Sequence, residues 1–413
     1  MPQHADDPDL PRLPQDRWLR PEDRVAVLTH GEWHGAFSAK TAVAVWRYCP
    51  ARVSCIIDRD HVGPDAGARF SADPAHPDRK RRPMTPVFAS LEEALGHLDE
   101  PPTRFLIGIA PEGGGLDGSW RADIETAIDA GIPVLAGLHR FLADDPEIAA
   151  RAKKNAVPLV DLRRTPEPPV AASGVGRRNP VPVVLLVGTD CRSGKMTTTV
   201  ELVDAAKRMG LRAAWVATGQ TGRLLSPDAG APIDRTVSDF TAGETERQVM
   251  AAARLDDAFG PTADTPDIIF VEGQGALSHP AYSGVSLGLL HGSRPDLIVL
   301  CHVWDRTEKV YKTDGEAFYI LPLDEEVELN LMLAKPVHPT RLAGVAIATP
   351  GIPEDEYVEA TRRVEALLGV PCVDPVRVSA KLFVERIVEM IGETPRGKRV
   401  PKLRYGKATG IQA

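Results

Sequence analysis

The sequence predicts an α/β protein with an N-terminal Rossmann-like domain and a C-terminal doubly wound parallel sheet of the phosphate-loop NTPase type. Three observations lead to this prediction. The length of 413 residues is typical of two or three domains. Short apolar segments alternate with segments of helical periodicity, which is typical of parallel sheets. A glycine-rich turn ending in Gly194 and Lys195 stands between a buried strand and a helix.

The first half of the chain repeats a strand and helix pattern that implies a parallel sheet. The predicted strands are 24–30, 52–58, 104–110, 133–138 and 158–162. The predicted helices are 38–48, with Ser38 as its N-cap, 90–98 and 121–130. Residues 22–163 are therefore predicted to form the Rossmann-like domain. The glycines at 113–115 form either a flexible turn or a phosphate cradle, and they lack the spacing of a dinucleotide-binding turn.

The second half begins after a segment, 164–182, that is rich in proline, glycine and arginine. This segment has no periodic apolar face, so it is predicted to be a linker. The predicted strands beyond it are 183–187, 213–217, 267–272, 296–301 and 342–348. The predicted helices are 196–209, 238–253 and 354–368. These elements define a predicted phosphate-loop domain at 183–395, followed by a basic tail at 396–413.

Charge and composition exclude several classes of protein. The chain has 49 basic and 57 acidic side chains and a formal net charge of −8, whereas nucleic-acid-binding proteins present a basic face. No segment reaches the roughly 18 consecutive apolar residues of a membrane-spanning helix. The five cysteines are scattered and odd in number, which indicates free thiols in a reducing compartment. The polar N-terminus lacks the apolar core of a signal peptide, so a cytoplasmic location is predicted.

The most informative segment is 183–199, in which a buried strand leads through a glycine-rich turn into a helix. Successive backbone N–H groups, the positive end of the helix and the ammonium of Lys195 are expected to surround one point there. A phosphate group is the expected ligand. The predicted binding residues are Gly188, Thr189, Asp190, Cys191, Arg192, Ser193, Gly194, Lys195, Met196, Thr197 and Thr198.

The spacing of this turn differs from that of the standard phosphate loop, which has four residues before its Gly-Lys pair. Here five residues, 189–193, separate the two glycines, and Met196 stands where a hydroxyl usually binds magnesium. The longer loop and its Gly-Thr-Asp opening resemble those of dethiobiotin synthetase and related phosphate-loop enzymes. That resemblance implies ATP and Mg²⁺ as alternative ligands, with Thr197 and Glu272 as the metal-binding residues.

Polar, glycine-rich blocks directly follow the predicted strands of the second half. Loops at the carboxyl ends of parallel strands converge on the ligand crevice, so these blocks are expected to meet at Lys195. The candidate catalytic residues are Asp239, Glu272 and His279. The candidate substrate-binding residues are Gln220, Thr221, Glu244, Gln274, His302 and Arg306.

The residue types leave alternatives open at several of these positions. Glu272 either holds magnesium and orients a reactant or caps the turn after its strand. His279 acts either as a general base or as a hydrogen-bonded structural residue, and His291 and His302 have structural and metal-binding alternatives. Cys191, near a helix N-terminus, is either a reactive thiol or an ordinary loop residue.

Five blocks together resemble one bacterial family, the D-glutamate N-acetyltransferase family, long catalogued as a domain of unknown function. The blocks are GTDCRSGKMTT, ATGQTG, VSDFTAGETE, VEGQGALSHPAYSGVSLGLLHGSRPD and LCH. The first half, with AKTAVAVWRY and IIDRDHVG, looks like the Rossmann-like domain of that family. The resemblance covers most of the chain. It implies transfer of an acetyl group from acetyl-CoA to the amine of a D-amino acid, in amino-acid breakdown.

The resemblance also implies roles for particular residues. The loop around Lys195 would hold the pyrophosphate of coenzyme A, and either His279 or Glu272 would accept the proton of the amine. Backbone N–H groups of the glycine-rich loops would stabilise the oxyanion. The arginines available for substrate carboxylates are Arg192, Arg223 and Arg306. The expected partners are a small amino-acid substrate and further copies of the chain, with neither nucleic acid nor membrane.

Two departures from the family pattern leave the substrate open. The segment 303–331 is unusual for the family, and Arg192 and Ser193 stand where smaller or apolar residues are expected. A related amino acid is therefore an alternative to D-glutamate. An ATP-dependent ligase or kinase, and a nucleotide-responsive regulatory protein without turnover, are the alternatives to an acetyltransferase.

Overall fold

A computed structural model describes residues 11, 13, 15–30, 39–66, 84–109, 116–165, 168–226, 228–313, 316–394 and 396–399. These residues form two compact units. The first unit contains the described chain up to residue 165 together with 219–235, and the second contains 168–218 and the residues after 235. Ser38, the glycines at 113–115 and most of the predicted tail lie outside the described residues.

The first unit is built on a six-stranded parallel sheet in the order β3-β2-β1-β4-β5-β6. Its strands are β1 (Arg24–Leu28), β2 (Arg52–Ile57), β3 (Val87–Phe88), β4 (Arg104–Ile107), β5 (Val134–Ala136) and β6 (Leu159–Asp161). Its helices are α1 (Lys40–Tyr48), α2 (Leu91–His97), α3 (Arg121–Asp129), α4 (Pro146–Lys154) and, within 219–235, α6 (Gln220–Leu225). The same segment contains the short strand β9 (Ala229–Gly230). The strand order reverses between β1 and β4, as in a Rossmann-like sheet.

The second unit is built on parallel strands in the order β15-β14-β11-β7-β10-β8. They are β7 (Val183–Gly188), β8 (Ala213–Ala217), β10 (Ile268–Val271), β11 (Leu297–Val303), β14 (Arg341–Ala348) and β15 (Cys372–Val373). The helices are α5 (Lys195–Arg208), α7 (Thr241–Ala253), α8 (Ser283–Ser293), α9 (Leu323–Ala334), α10 (Glu354–Leu368) and α11 (Lys381–Gly392). An antiparallel hairpin of β12 (Glu308–Thr313) and β13 (Glu316–Tyr319) lies between β11 and α9 in the chain.

The α/β fold with two parallel sheets confirms the predicted fold class. Strands such as β10 are buried along their whole length, which is why they read as continuous apolar runs in the sequence. Two of the helices have features that explain why the sequence did not predict them. The helix α8 (SGVSLGLLHGS) contains three glycines and three serines, which have low helix propensity. The helix α9 buries Glu326 and Asn330, and these polar residues interrupt its apolar periodicity.

Most of the predicted linker, from residue 168 onward, belongs to the second unit and is held there by polar contacts. The backbone N–H groups of Ser173, Gly174 and Gly176 donate hydrogen bonds to the carboxylate of Glu246 on α7. The guanidinium of Arg178 lies 3.7 Å from the ring centre of Phe259. This segment is ordered although its sequence has no periodic apolar face, because one buried carboxylate accepts hydrogen bonds from three of its N–H groups.

Two expectations based on composition can be compared with the structure. Among the described residues, no helix is long and apolar enough to cross a membrane. All five cysteines lie in the described segments, and none of them forms a disulfide, as predicted. Four of them are buried, whereas Cys191 in the phosphate loop is half-buried.

Candidate functional site

The phosphate loop lies where the strand order of the second sheet reverses. Strand β7 ends at Gly188, and α5 begins at Lys195 after a turn in which Arg192 and Gly194 have φ angles of 54° and 91°. Among the described residues no side chain caps α5, so the first N–H groups of this helix face the loop. This combination of sheet position and helix N-terminus is the arrangement that binds phosphate groups in other proteins.

The ammonium group of Lys195 is hydrogen-bonded to the phosphate loop and to the loop after β10. Its Nζ donates hydrogen bonds to the carbonyl oxygens of Asp190 (2.7 Å) and Gly275 (2.8 Å) and to Oγ of Ser193 (3.1 Å). These are the three donors that an ammonium group has. Burial lowers the pKa of Lys195. A phosphate ligand would take one or more of these hydrogen bonds from the loop.

Two glycines allow the backbone to approach Lys195. A Cβ atom on Gly188 would lie 2.7 Å from Nζ of the lysine, and one on Gly273 would overlap the carbonyl oxygen of Leu186. A side chain at either position would displace the lysine or push the loop after β10 away from β7. Close packing around Lys195 therefore explains why glycine stands at both positions.

The other loop residues contribute backbone or short polar contacts. The thiol of Cys301 on β11 makes a hydrogen bond with the side chain of Thr198. Met196 and Thr197 are half-buried in the first turn of α5, and Arg192 is exposed. The predicted binding residues thus divide between the turn at 188–194 and the first turn of α5.

Asp190 joins the phosphate loop to two other segments. Its carboxylate is completely buried. Oδ2 accepts a hydrogen bond from the N–H of Val310 (2.7 Å) and lies 3.7 Å from a guanidinium nitrogen of Arg306. Oδ1 lies 3.6 Å from Nε2 of His279 and has no hydrogen-bond partner among the described residues. Asp190 is therefore hydrogen-bonded to the hairpin on one side and faces His279, without a hydrogen bond, on the other.

The hydrogen bonds around His279 determine its tautomer. Nδ1 accepts hydrogen bonds from the backbone N–H groups of Ala281 (3.0 Å) and Tyr282 (3.2 Å). The neutral ring therefore carries its proton on Nε2, which faces Asp190. Burial is the main reason why the pKa of His279 is lowered, so the neutral ring is favoured. This arrangement fits the structural alternative for His279 and not the general base, because no ring nitrogen is available to accept a proton.

Three side chains in this region are close enough to be considered as metal ligands. One ligand atom each of Asp190, Cys191 and His279 lie within 4.8 Å of one another. A histidine that binds a metal normally donates its other ring N–H to an acceptor. In His279 the other nitrogen, Nδ1, accepts two N–H groups instead. The donor set therefore does not fit a metal ion, and we assign none to these three residues.

The strand end that carries Glu272 is tied to the end of β8. Oε2 of Glu272 accepts a hydrogen bond from the N–H of Thr218 (3.2 Å), and the carbonyl oxygen of Thr218 accepts one from Nε2 of Gln274 (2.6 Å). The charge of Glu272 also acts on Lys195, where it opposes the effect of burial on the lysine pKa. Glu272 and Gln274 therefore lie in the second unit beside the phosphate loop, as expected.

The segment after β11 contributes two cations to the phosphate loop, Arg306 from the turn before the hairpin and Lys309 from β12, and Lys309 was not predicted. Arg306 donates a hydrogen bond to the carbonyl oxygen of Cys191 (3.1 Å). Nζ of Lys309 donates to the carbonyl oxygen of Thr189 (3.0 Å) and to Oγ of Ser278 (2.9 Å). Lys309 is only 2% exposed. The segment 303–331 is unusual for the family, but no feature of its sequence indicates Lys309 within it.

Helix α9 places a second unpredicted residue, Glu326, at the same loop. The side chain of Glu326 is completely buried, and its Oε2 accepts a hydrogen bond from Oγ of Ser278 (2.5 Å). Burial raises the pKa of this carboxyl. Glu326 is the third of three consecutive acidic residues, of which Asp324 and Glu325 are exposed. A run of acidic residues usually indicates a solvated face, which is why the buried member was missed.

His302 contacts the phosphate loop from β11. Its Nδ1 lies 3.0 Å from Oγ1 of Thr189, and the residue is 7% exposed. Burial, assisted by the nearby Arg306 guanidinium, lowers the pKa of His302 to about 4. Between pH 6.5 and about 4 the ring of His302 is therefore mainly neutral in the folded protein, whereas the same ring in the unfolded chain is mainly protonated.

This shift predicts how stability depends on pH. An unfolded histidine has a pKa of about 6.5, so the contribution of His302 is fully present above that pH and is lost as the pH falls toward 4. Between pH 7.5 and 4.5 the wild type should lose about 2 kcal/mol more unfolding free energy than His302→Gln. Urea titrations at both pH values measure this difference. Equal losses in the two proteins would contradict the assignment.

Three other predicted residues make their described contacts elsewhere in the second unit. Asp239 is exposed in the turn that precedes α7. The carboxylate of Glu244 contacts Arg247 and Gln248 of its own helix. The His291 ring shares a hydrogen bond of 2.9 Å with the carbonyl oxygen of Leu333, which connects α8 to α9 and supports the structural alternative. The structure describes no contact of these side chains with Lys195, which differs from the expected convergence.

The block TGQTG divides between the two units. Gln220 and Thr221 belong to the first unit, where Oγ1 of Thr221 lies 2.7 Å from Oγ1 of Thr41 on α1. The side chain of Gln220 packs against Gly137, and Arg223 donates a hydrogen bond to the carbonyl oxygen of Leu162. Their described contacts therefore lie in the Rossmann-like unit and not at the phosphate loop.

Comparison with known proteins agrees with the two-domain division. Residues 170–384 match the P-loop domain of DUF1611, described as a domain of unknown function. Residues 76–165 match the Rossmann-like domain DUF1611_N of the same description.

Two curated proteins and one solved structure are similar to this chain. A D-glutamate N-acetyltransferase from Pseudoalteromonas sp is 37% identical over 276 residues, which cover 66% of this chain and 77% of that protein. A D-glutamate N-acetyltransferase from Tritonibacter scottomollicae is 34% identical over 284 residues, which cover 68% of this chain and 80% of that protein. The crystal structure of a DUF1611 family protein from Anabaena variabilis has a TM-score of 0.78 and 33% identity, over 89% of this chain and 100% of that chain. The predicted resemblance is thus confirmed, and this chain belongs to the DUF1611 family.

Proposed function

We propose that this chain is an acetyl-CoA-dependent N-acetyltransferase that acts on D-glutamate or a related D-amino acid. The observation that carries the proposal is the identity of 37% and 34% with two proteins named D-glutamate N-acetyltransferase. Each of those similarities covers about two thirds of this chain. The proposed role is in the breakdown of D-amino acids.

The geometry of the phosphate loop is compatible with coenzyme A as the donor. The pyrophosphate of coenzyme A needs backbone N–H groups and a cation, and the first turn of α5 and Lys195 supply both. Arg306 and Lys309 are further cations of the same unit that contact the loop. These groups would bind the phosphates of either coenzyme A or a nucleoside triphosphate, so they do not by themselves select the donor.

The amino acid must lose a proton before its nitrogen attacks the thioester. The structure leaves His279 without a nitrogen that accepts protons, so we propose Glu272 as the proton acceptor. The arginine that lies beside the loop and would bind a substrate carboxylate is Arg306, which also lies 3.7 Å from Asp190.

A thiol-release assay tests the proposal. Purified protein is incubated with acetyl-CoA and D-glutamate, and free coenzyme A and N-acetylated product are both measured. Parallel reactions contain L-glutamate, a panel of other D-amino acids, or ATP with Mg²⁺ in place of acetyl-CoA. We expect coenzyme A release and acetylation that depend on a D-amino acid.

The other arms distinguish the alternatives. Consumption of ATP that depends on magnesium and an amino or carboxylate substrate would replace the proposal with a ligase or kinase, which the P-loop domain also allows. Tight nucleotide binding without turnover of any substrate would replace it with a regulatory protein. No coenzyme A release with any amino acid of the panel would overturn the acetyltransferase.

A further inference from the structure

A serine hydroxyl lies between a buried carboxylate and a buried ammonium beside the phosphate loop. Oγ of Ser278 donates a hydrogen bond to Oε2 of Glu326 (2.5 Å) and accepts one from Nζ of Lys309 (2.9 Å). Glu326 is 0% exposed and Lys309 is 2% exposed, whereas Ser278 itself is half-buried. Ser278 is therefore the most exposed residue of a polar cluster whose two charged members are buried.

The hydrogen bonds of this cluster are arranged as in sites that activate a hydroxyl nucleophile. A weakly nucleophilic hydroxyl needs a base within hydrogen-bond reach and a third group that holds the assembly in place. Glu326 is the base here, and Lys309 provides a positive charge that stabilises an alkoxide. Lys309 is also anchored to the carbonyl oxygen of Thr189, which fixes the cluster relative to the phosphate loop.

One atom of the base is left without a partner. Oε1 of Glu326 is buried and has no hydrogen-bond partner among the described residues. A carboxylate kept only for structure is normally satisfied at both oxygens, because an unsatisfied buried acceptor costs about 1–3 kcal/mol. Burial raises the pKa of Glu326, which makes its carboxylate a stronger base than a solvated one.

Two tyrosine rings lie against the histidine that follows the serine in the chain. The ring of Tyr282 lies 4.6 Å from that of His279, the residue that follows Ser278, and Tyr311 on β12 lies 5.5 Å from the same ring. Tyr282 is 46% exposed. These rings and the ring of His279 form an aromatic cluster one residue along the chain from Ser278, of the kind that the arm of a thioester would contact.

We propose that Ser278 is a catalytic nucleophile that carries the acetyl group as a covalent ester, with Glu326 as its base. This inference rests on the proposed function. In the first step Glu326 accepts the hydroxyl proton, Oγ bonds to the carbonyl carbon of the thioester, and the carbon–sulfur bond breaks. The departing sulfur takes the proton from Glu326, so free coenzyme A leaves and the carboxylate is restored.

In the second step Glu272 takes one proton from the ammonium group of the amino acid and passes it to water, and the neutral amine attacks the ester carbon. The carbon–Oγ bond breaks, and the proton that the nitrogen loses passes through Glu326 to Oγ. The products are the N-acetylated amino acid and free Ser278, so atoms and charges balance over the two steps.

The experiment looks for the acetyl ester without the second substrate. The full chain is mixed with acetyl-CoA alone, quenched in acid after short times and examined by intact mass and peptide mapping. For the wild type we expect a burst of coenzyme A close to one per chain and a mass gain of one acetyl group, located at Ser278. Addition of D-glutamate should remove the label and form product.

Variants separate the nucleophile from a structural role. Ser278→Ala should show no label and a fall in turnover of about 10³-fold. Ser278→Cys keeps a nucleophile at the position and should take up the label as a thioester, which answers the case in which the alanine variant does not fold. Glu326→Gln should slow label formation by about 10²-fold or more and remove the rise of its rate with pH. Ser283→Ala, five residues along the chain, is the matched control and should behave as the wild type.

The outcomes that overturn the inference differ from those that overturn the function. If the wild type acetylates D-glutamate but never carries a label, or if Ser278→Ala keeps its turnover within about threefold of the wild type, direct transfer replaces the covalent route. In that case the proposed function stands. If the wild type acetylates no amino acid and releases no coenzyme A, the proposed function and this inference both fall.

Discussion

Replacement of Lys195 by methionine is expected to weaken the binding of acetyl-CoA about 100-fold and to remove most of the activity. A charge-assisted hydrogen bond to phosphate contributes about 2–3 kcal/mol, and each 1.4 kcal/mol corresponds to a factor of ten. The methionine side chain has a similar length, so the change removes the charge and leaves the shape of the loop nearly intact. Isothermal titration with acetyl-CoA measures the dissociation constant directly.

A second consequence of this change follows from the hydrogen bonds of the lysine. Nζ satisfies the carbonyl oxygens of Asp190 and Gly275, which would be left without this donor in Lys195→Met. The variant should therefore also be less stable, by about 1–3 kcal/mol for each carbonyl that water does not reach.

The matched control is Lys207→Met on the same helix. Lys207 is exposed in the last turn of α5, far along the helix from the phosphate loop. This variant should bind acetyl-CoA with the affinity of the wild type. If Lys195→Met bound acetyl-CoA within about threefold of the wild type, the loop would not be the binding site for the phosphates of the donor.

The position of the phosphate loop could be predicted because local sequence determines it. A continuous apolar strand, a glycine-rich turn and a helix follow one another within 183–208, and parallel sheets bind ligands where such turns meet. The contacts of Arg306 and His302 with the loop could be predicted for the same reason. His302 lies near the end of β11, and Arg306 follows that strand.

Contacts that depend on tertiary packing could not be predicted. Ser278, Lys309 and Glu326 come from a loop, a hairpin and a helix that are separated by up to 48 residues, and no spacing rule connects them. The buried Glu326 differs from its exposed neighbours Asp324 and Glu325 only in the face of α9 on which it lies.

Glu244 and Gln220 show the opposite error, in which residue type and position misled the prediction. Gln220 comes shortly after β8 but packs in the first unit, and Glu244 lies on α7, where it contacts its own helix. The rule that loops converge at one edge of a sheet fixes where a loop starts, but the direction of each side chain depends on the packing of the following residues.

Replacement of Asp190 by asparagine is expected to lower the free energy of unfolding by about 2–4 kcal/mol, because it removes a buried charge and one acceptor. The amide keeps one oxygen, which would take the place of Oδ2 and accept the hydrogen bond from the N–H of Val310. In the wild type the distance from that nitrogen to Oδ2 is 2.7 Å. The amide NH₂ would then face the N–H of His279, and two donors cannot form a hydrogen bond. The nearby Arg306 guanidinium, 3.7 Å from Oδ2, would also lose its counter-charge.

A double-mutant cycle tests whether this cost arises at His279. His279→Gln and the double variant are unfolded under the same conditions, and a coupling energy of about 0.5–3 kcal/mol is expected for residues in contact. Asp305→Asn is the control, since Asp305 is an exposed carboxylate of the neighbouring turn with a φ of 60°, which asparagine also tolerates. Nitrogen NMR of the histidine ring should show the Nε2–H tautomer in the wild type. An Nδ1–H tautomer there would mean that Nε2 is free to act as a base after all, whereas additive effects in the cycle would mean that His279 and Asp190 do not interact.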